Sequence, residues 1–284
     1  MDTVSATAEL RARASRARCD GRTVGLVPTM GYLHDGHLSL IERSVAEQDL
    51  TVVTIFVNPL QFAPEEDLDA YPRDPDGDAA KAAGAGAGLL FTPSVDEMYP
   101  DEVLTTVNVT SVTEGLESGA RPSHFSGVAT VVTKLFAMVG PCRAYFGEKD
   151  YQQLQLTAAL ARDLSLGVTV VGCPTVRERD GLAMSSRNAY LTPGEREAAP
   201  VLHRALRSGQ AAIASGETDP ATVETLMGEV IDAEPLVTLD YAVVRHPRTI
   251  RPLERIDGPV RLLVAAQLPH ARLIDNLGAA PGVR

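Results

Sequence analysis

Short apolar runs rich in β-branched residues recur along the first 175 residues, alternating with stretches whose apolar positions repeat at helical spacing. The runs at 23–27 (TVGLV), 50–57 (LTVVTIFV), 88–91 (GLLF), 143–146 (RAYF) and 168–173 (VTVVGC) predict buried strands. A strand covered on both faces is apolar throughout and does not alternate. Between these runs Leu38, Ile41 and Val45 share one helical face, and Tyr151, Leu154, Ala158 and Ala161 share another. Strand, helix and strand in succession predict an α/β fold, with a Rossmann-like, doubly wound parallel sheet over residues 1–175. Beyond about Tyr190 the texture changes. TPGERE (192–197) opens a helical run through Leu206, a second helix is predicted over 221–231, and 236–244 and 260–268 read as strands. A smaller α+β domain over 176–284, closing the site, is the expectation.

Ligands of doubly wound sheets sit outside the carboxyl ends of the strands. The segments that follow the predicted strands are PTMGYLHDGH, NPLQF, TPS, GEKD and PTVRERDGLAMSSRN, so polar and glycine-rich residues gather at one edge, among them His34, His37, Lys149 and Arg187. The HDGH pair has three readings: metal ligands, phosphate partners or helix caps. A metal needs a third ligand, and Cys19, Cys142, Cys173 and His124 are dispersed, so no metal site is predicted. A phosphate fits a helix opening near Gly36, where unpaired N–H groups and the dipole favour an anion and where Gly31 and Gly36 let the backbone approach closely. MSSRN offers two hydroxyls and a guanidinium, or simply a serine cap. With Lys149 it makes a cationic clamp for a departing pyrophosphate. The amides of Asn58, Gln61, Gln152 and Gln153 suit a small polar substrate, and Arg121 suits a carboxylate. GAGAG (84–88) precedes its strand and reads as a turn, and no G-x-x-x-x-G-K-[ST] loop occurs.

Composition narrows the partners. A net charge of −11 over 284 residues argues against nucleic acid. The longest largely apolar stretch, 127–140, is interrupted by Lys134 and falls short of the roughly 20 residues that span a bilayer, so no membrane partner is expected. The Arg- and Ser-rich start is broken by Asp2, Glu9 and Asp20 and predicts an amphipathic helix, not a transit peptide. Three scattered cysteines with no C-x-x-C spacing fit a reducing cytoplasm.

Taken together, VPTMGYLHDGH, FVNPLQF, YPRD, RPSHFSG, FGEKDYQQL and MSSRN resemble, in order, the blocks of the pantothenate synthetase (pantoate:β-alanine ligase) family, in the nucleotidyltransferase superfamily marked by an HIGH-like H-x-G-H. The resemblance implies ATP-dependent joining of pantoate and β-alanine through a pantoyl adenylate, releasing pyrophosphate and AMP, in a cytoplasmic homodimer. It implies that Met30, Gly31, Tyr32, Leu33, His34, Asp35, Gly36 and His37 run along ATP, with His34 and His37 at the phosphates and His37 as proton donor or charge stabiliser. Gly147, Glu148, Lys149 and Asp150 line the nucleotide in that reading, Lys149 reaching phosphate, and Val176 lies against adenine or ribose. Met184, Ser185, Ser186 and Arg187 complete the phosphate side, Gln61 and Gln153 hold pantoate, and Gln61 also serves β-alanine. The family often has adjacent acids and an amide after YPRDP that help bind Mg²⁺. Here Gly77 separates Asp76 from Asp78 and Lys81 follows, so Mg²⁺ is expected to be held mainly by ATP phosphates and water.

Overall fold

The protein is described by a computed structural model covering residues 1–63, 68 and 71–282. It forms two compact units, Met1–Gly147 with Gln152–Pro174, and Glu148–Tyr151 with Thr175–Arg284. The sequence reading divides the chain at 175/176, whereas packing also assigns the four residues after Gly147 to the second unit.

The first unit is built on a six-stranded parallel sheet of β1 (Asp2–Val4), β2 (Val24–Thr29), β3 (Leu50–Ile55), β4 (Leu89–Phe91), β5 (Cys142–Gly147) and β6 (Val168–Cys173). The strand order β1-β4-β3-β2-β5-β6 reverses direction between β2 and β5, and that is the switch point at which such sheets bind ligands. Strand β1 has no counterpart in the sequence pattern, because three residues at the sheet edge carry no periodic signal. The helices are α1 (Thr7–Cys19), α2 (Asp35–Glu47), α3 (Pro75–Gly84), α4 (Val95–Met98), α5 (Glu117–Ala120), α6 (His124–Val139) and α7 (Tyr151–Asp163). Successive strand residues face opposite ways. Val27 and Val53 pack with Leu40 and Ile41 of α2 and Ala82 of α3, while the neighbouring Leu26 and Val52, also fully buried, lie outside that cluster. No helix among the described residues is long and apolar enough to cross a membrane.

Gly127 of α6 sits where a methyl group would strike the backbone of Leu60 and Gln61. Backbone cannot rotate away as a side chain can, so Gly127→Ala is expected to cost about 1–3 kcal/mol. The check is a denaturant midpoint that falls with an unchanged slope.

The second unit packs α8 (Pro193–Ala198), α9 (Val201–Ala214) and α10 (Pro220–Asp232) with an antiparallel sheet of β7 (Thr238–Arg245), β8 (Val260–Gln267) and β9 (Arg272–Ala279). The single helix expected through Leu206 is two, because Pro200 has no N–H to give the Arg196 carbonyl. Leu202, Leu206 and Ile213 of α9, Val223 and Met227 of α10, and Leu262 and Val264 of β8 form its core.

Glu195 closes this core at the start of α8. Its carboxylate accepts from the Thr192 hydroxyl (2.6 Å) and N–H (2.9 Å) and from His270 N–H (2.8 Å). These bonds, the Thr192 hydroxyl foremost, hold its pKa down from the ordinary 4.5 to about 2 despite opposing burial. A group with a depressed folded pKa stabilises fully above its unfolded value and loses that contribution as pH falls toward the folded one. Glu195→Gln is therefore expected to lower the urea midpoint at pH 7, and the gap from wild type should close between pH 4.5 and about 2. A gap constant over that range would contradict the assignment.

Candidate active site

The segment following β2 is shaped by left-handed backbone. Gly31 (φ 86°) and Tyr32 (φ 52°) turn the chain consecutively, and a Cβ on Gly31 would come within 2.9 Å of Asp78 and 3.0 Å of Ile55. A non-glycine residue at positive φ costs about 1–2 kcal/mol and needs outside support. Asp78 of α3, 1% exposed, supplies it: one oxygen accepts Tyr32 N–H (2.8 Å) and the other accepts Leu33 N–H (2.7 Å). One turn later Lys81 donates to the Leu33 carbonyl (2.8 Å). No local sequence signal marks this clamp, because its partners are more than forty residues apart.

The loop ends at His34, the N-cap of α2. His34 Nδ1 accepts Gly36 N–H (3.1 Å), His37 Nδ1 faces His34 N–H at 3.4 Å, and the rings lie 4.1 Å apart. Capping and a functional reading are therefore compatible. In neutral rings, Nδ1 accepting these bonds leaves the ring proton on Nε2. Asp35 and Gly36 form the first turn behind the cap.

After β3 the chain enters a 3₁₀ turn, Pro59–Gln61, capped by Asn58, which is 1% exposed. Asn58 donates to Gln61 Oε1 (3.3 Å) and the Gly127 carbonyl (3.1 Å) and accepts from the Tyr99 hydroxyl (2.9 Å). Burial pushes the Tyr99 phenol up to about 12, so it remains a donor. Gln61 donates to Met30 Sδ (2.8 Å), which links this cluster to the loop after β2. Arg121 Nη2 and His124 Nδ1 approach the Gln61 carbonyl at 3.3 and 3.1 Å. Met30, Asn58, Gln61, Arg121 and His124 are thus one polar cluster. The two glutamines of α7 separate in role. Gln152, buried, accepts Glu117 N–H (3.1 Å) and donates to the Val112 carbonyl (3.1 Å), so both ends of its amide have structural partners. Gln153 is half-buried, and its side chain has no partner among the described residues.

In the second unit the chain passes from β5 into a 3₁₀ turn, Glu148–Asp150. Lys149, 19% exposed, pairs with Asp150 at 3.1 Å. Residues 176–184 form a hairpin in which Met184 N–H donates to the Val176 carbonyl (3.0 Å) and Arg177 bridges to Ala183. Arg177 pins the hairpin to β9 through a bidentate pair with Asp275 at 2.6 and 2.9 Å. Ser185 caps the 3₁₀ turn Ser186–Tyr190 by accepting Arg187 N–H (3.3 Å), which realises the cap reading of MSSRN. The guanidinium of Arg187 has no partner among the described residues. Lys149, Ser185, Asn188 and Asp275 line one small cavity. Asn188 Oδ1 there is buried without a hydrogen-bond donor among the described residues, an acceptor that residue type alone does not mark.

A doubly wound sheet with a polar loop at its switch point is the architecture of α/β proteins that bind ligands beyond their strands' carboxyl ends. The chain belongs to the pantoate-beta-alanine ligase family, whose profile matches residues 2–278, and it is a ligase. The pantothenate synthetase of Rhizobium meliloti (strain 1021) is 49% identical over 282 residues, covering 99% of this chain and 97% of that one. The crystal structure of pantothenate synthetase from Thermus thermophilus matches with a TM-score of 0.92 at 50% identity, covering 98% and 99% of the two chains. The pantoate-beta-alanine ligase of Francisella tularensis, solved in complex with beta-gamma ATP and beta-alanine, matches with a TM-score of 0.80 at 32% identity over 98% of this chain and 97% of that one.

Proposed function

We propose that this protein joins pantoate to β-alanine in two steps at the expense of ATP. The pantoate carboxylate attacks the α-phosphorus of ATP, forming pantoyl adenylate and releasing pyrophosphate. The β-alanine amine then attacks the acyl carbon, releasing AMP and forming pantothenate. Neither step needs an enzyme nucleophile, so the protein's contribution is positioning and charge stabilisation. What carries the reading is family membership together with the ATP and β-alanine held by the Francisella relative.

In this reading the backbone from Met30 to Gly36 follows the nucleotide, and the Nε2–H groups of His34 and His37 serve the phosphates. His37 stabilises the charge that develops as pyrophosphate leaves. Lys149 and Arg187 supply positive charge to the same oxygens, with Met184, Ser185 and Ser186 beside them. Gly147, Glu148, Asp150 and Val176 line the nucleotide. Gln61 and Gln153 hold pantoate, and Gln61 also meets β-alanine. Mg²⁺ accompanies ATP, but α3 is a poor source of ligands for it. Both oxygens of Asp78 already accept backbone N–H groups, and the Lys81 ammonium lies one turn away. The phosphates and water hold the ion in this reading. Work as a cytoplasmic homodimer completes the proposal; Cys19, Cys142 and Cys173 are not joined in disulfides.

Pantoate-dependent exchange of labelled pyrophosphate into ATP, without β-alanine, tests the first step. Label in ATP above an enzyme-free blank is expected, and its absence would reject the reading.

A further inference from the structure

We infer that Asn276 of β9 is a positioning residue for the ligase reaction, fixing the backbone from which Lys149 projects; this rests on the role proposed for Lys149. Asn276 is 3% exposed, although on its face of β9 Ile274 is only half-buried and Gly278 is exposed. What buries it is the turn after β5. Its amide nitrogen donates to the carbonyls of Glu148 (3.0 Å) and Lys149 (2.8 Å). Its oxygen accepts from Arg261 Nε (2.7 Å) and Nη2. A buried amide with every donor and acceptor in use has one orientation only.

Arg261 reinforces the hold. It donates to the Glu148 carboxylate (3.1 Å) and lies over the Tyr151 ring at 4.0 Å. The turn is therefore gripped at two carbonyls, one carboxylate and one ring, all from β8 and β9. Lysine is a point charge on a flexible stem, and its aim depends on a fixed backbone at its root. Misplacement by about 1 Å can cost on the order of 100-fold in rate.

Asn276→Asp keeps the acceptor for Arg261 but sets a carboxylate oxygen against two carbonyls. Pantoate-dependent exchange should lose about tenfold in kcat, with the KM for ATP moving less than about threefold. In a Lys149→Ala background the same change should cost less than about twofold, because its effect passes through the missing ammonium. Amide hydrogen exchange in the ligand-free protein should quicken at 148–151 while β7 and β8 keep their protection. Losses that multiply across the two backgrounds, or unchanged exchange at 148–151, overturn the inference. Exchange of label absent from the wild type sinks the ligase reading itself, whereas label exchanged equally by wild type and Asn276→Asp sinks the positioning role alone. Should Asn276→Asp fail to fold, Asn276→Ser, which keeps one donor, is measured in its place against the same criteria.

Discussion

Lys149→Ala is expected to slow pantoate-dependent ATP–pyrophosphate exchange by at least about 100-fold while the melting temperature changes little. The leaving pyrophosphate gains charge as its bond to the α-phosphorus breaks, so a cation aimed at those oxygens stabilises the transition state more than bound ATP. Removing one such preorganised partner typically costs about 3–4 kcal/mol. The loss should therefore appear in kcat more than in the KM for ATP. Lys149→Met separates charge from packing, because it keeps most of the apolar stem while losing the ammonium. It should be as slow as Lys149→Ala. Among the described residues the Lys149 ammonium pairs with its neighbour Asp150 alone, across an exposed contact, so little folding stability is at stake. A Lys149→Met protein retaining wild-type kcat would remove Lys149 from the reaction.

How much of this was legible in the sequence depends on how far apart the cooperating residues lie. The strands at 24–29 and 50–55 announce themselves because they are covered on both faces, which writes a continuous apolar run, and the edge strand at 168–173 because it is rich in β-branched residues. The HDGH joint is equally visible, since its histidines, the helix they cap and the strand before them are contiguous. Strand β9 was not read. Its Asp275 and Asn276 are both buried by partners elsewhere in the chain, so two adjacent polar residues interrupt a pattern that period-2 reading depends on. In the sequence Asp78 reads only as a candidate metal ligand, for the same reason. Its real partners, the N–H groups of Tyr32 and Leu33, are backbone atoms more than forty residues away and leave no trace in residue type. Pairs such as Gln152 and Gln153 show the converse: identical neighbours on one helix, one spent on holding Val112 and Glu117 and the other half-buried with no partner among the described residues.

The proposed function gives His37 two jobs that substitution can separate, because its two ring nitrogens are distinct. Nδ1 takes part in the cap at His34, and Nε2 carries the proton that the proposed reaction uses. His37→Ala removes both and should lower exchange about 100-fold, as loss of a transition-state donor does. Asparagine places its amide group near the position of Nδ1, glutamine near that of Nε2. His37→Asn is therefore expected to melt like the wild type yet exchange as slowly as His37→Ala. His37→Gln, with an amide donor in the Nε2 position, should recover part of the rate while losing the cap. At 3.4 Å that cap contact is long, so its loss should cost less than about 1 kcal/mol. Kinetics and melting curves measured on all three proteins decide the matter. A His37→Asn protein with wild-type exchange would leave the ring with its capping role alone and assign the phosphate chemistry to His34, Lys149 and Arg187.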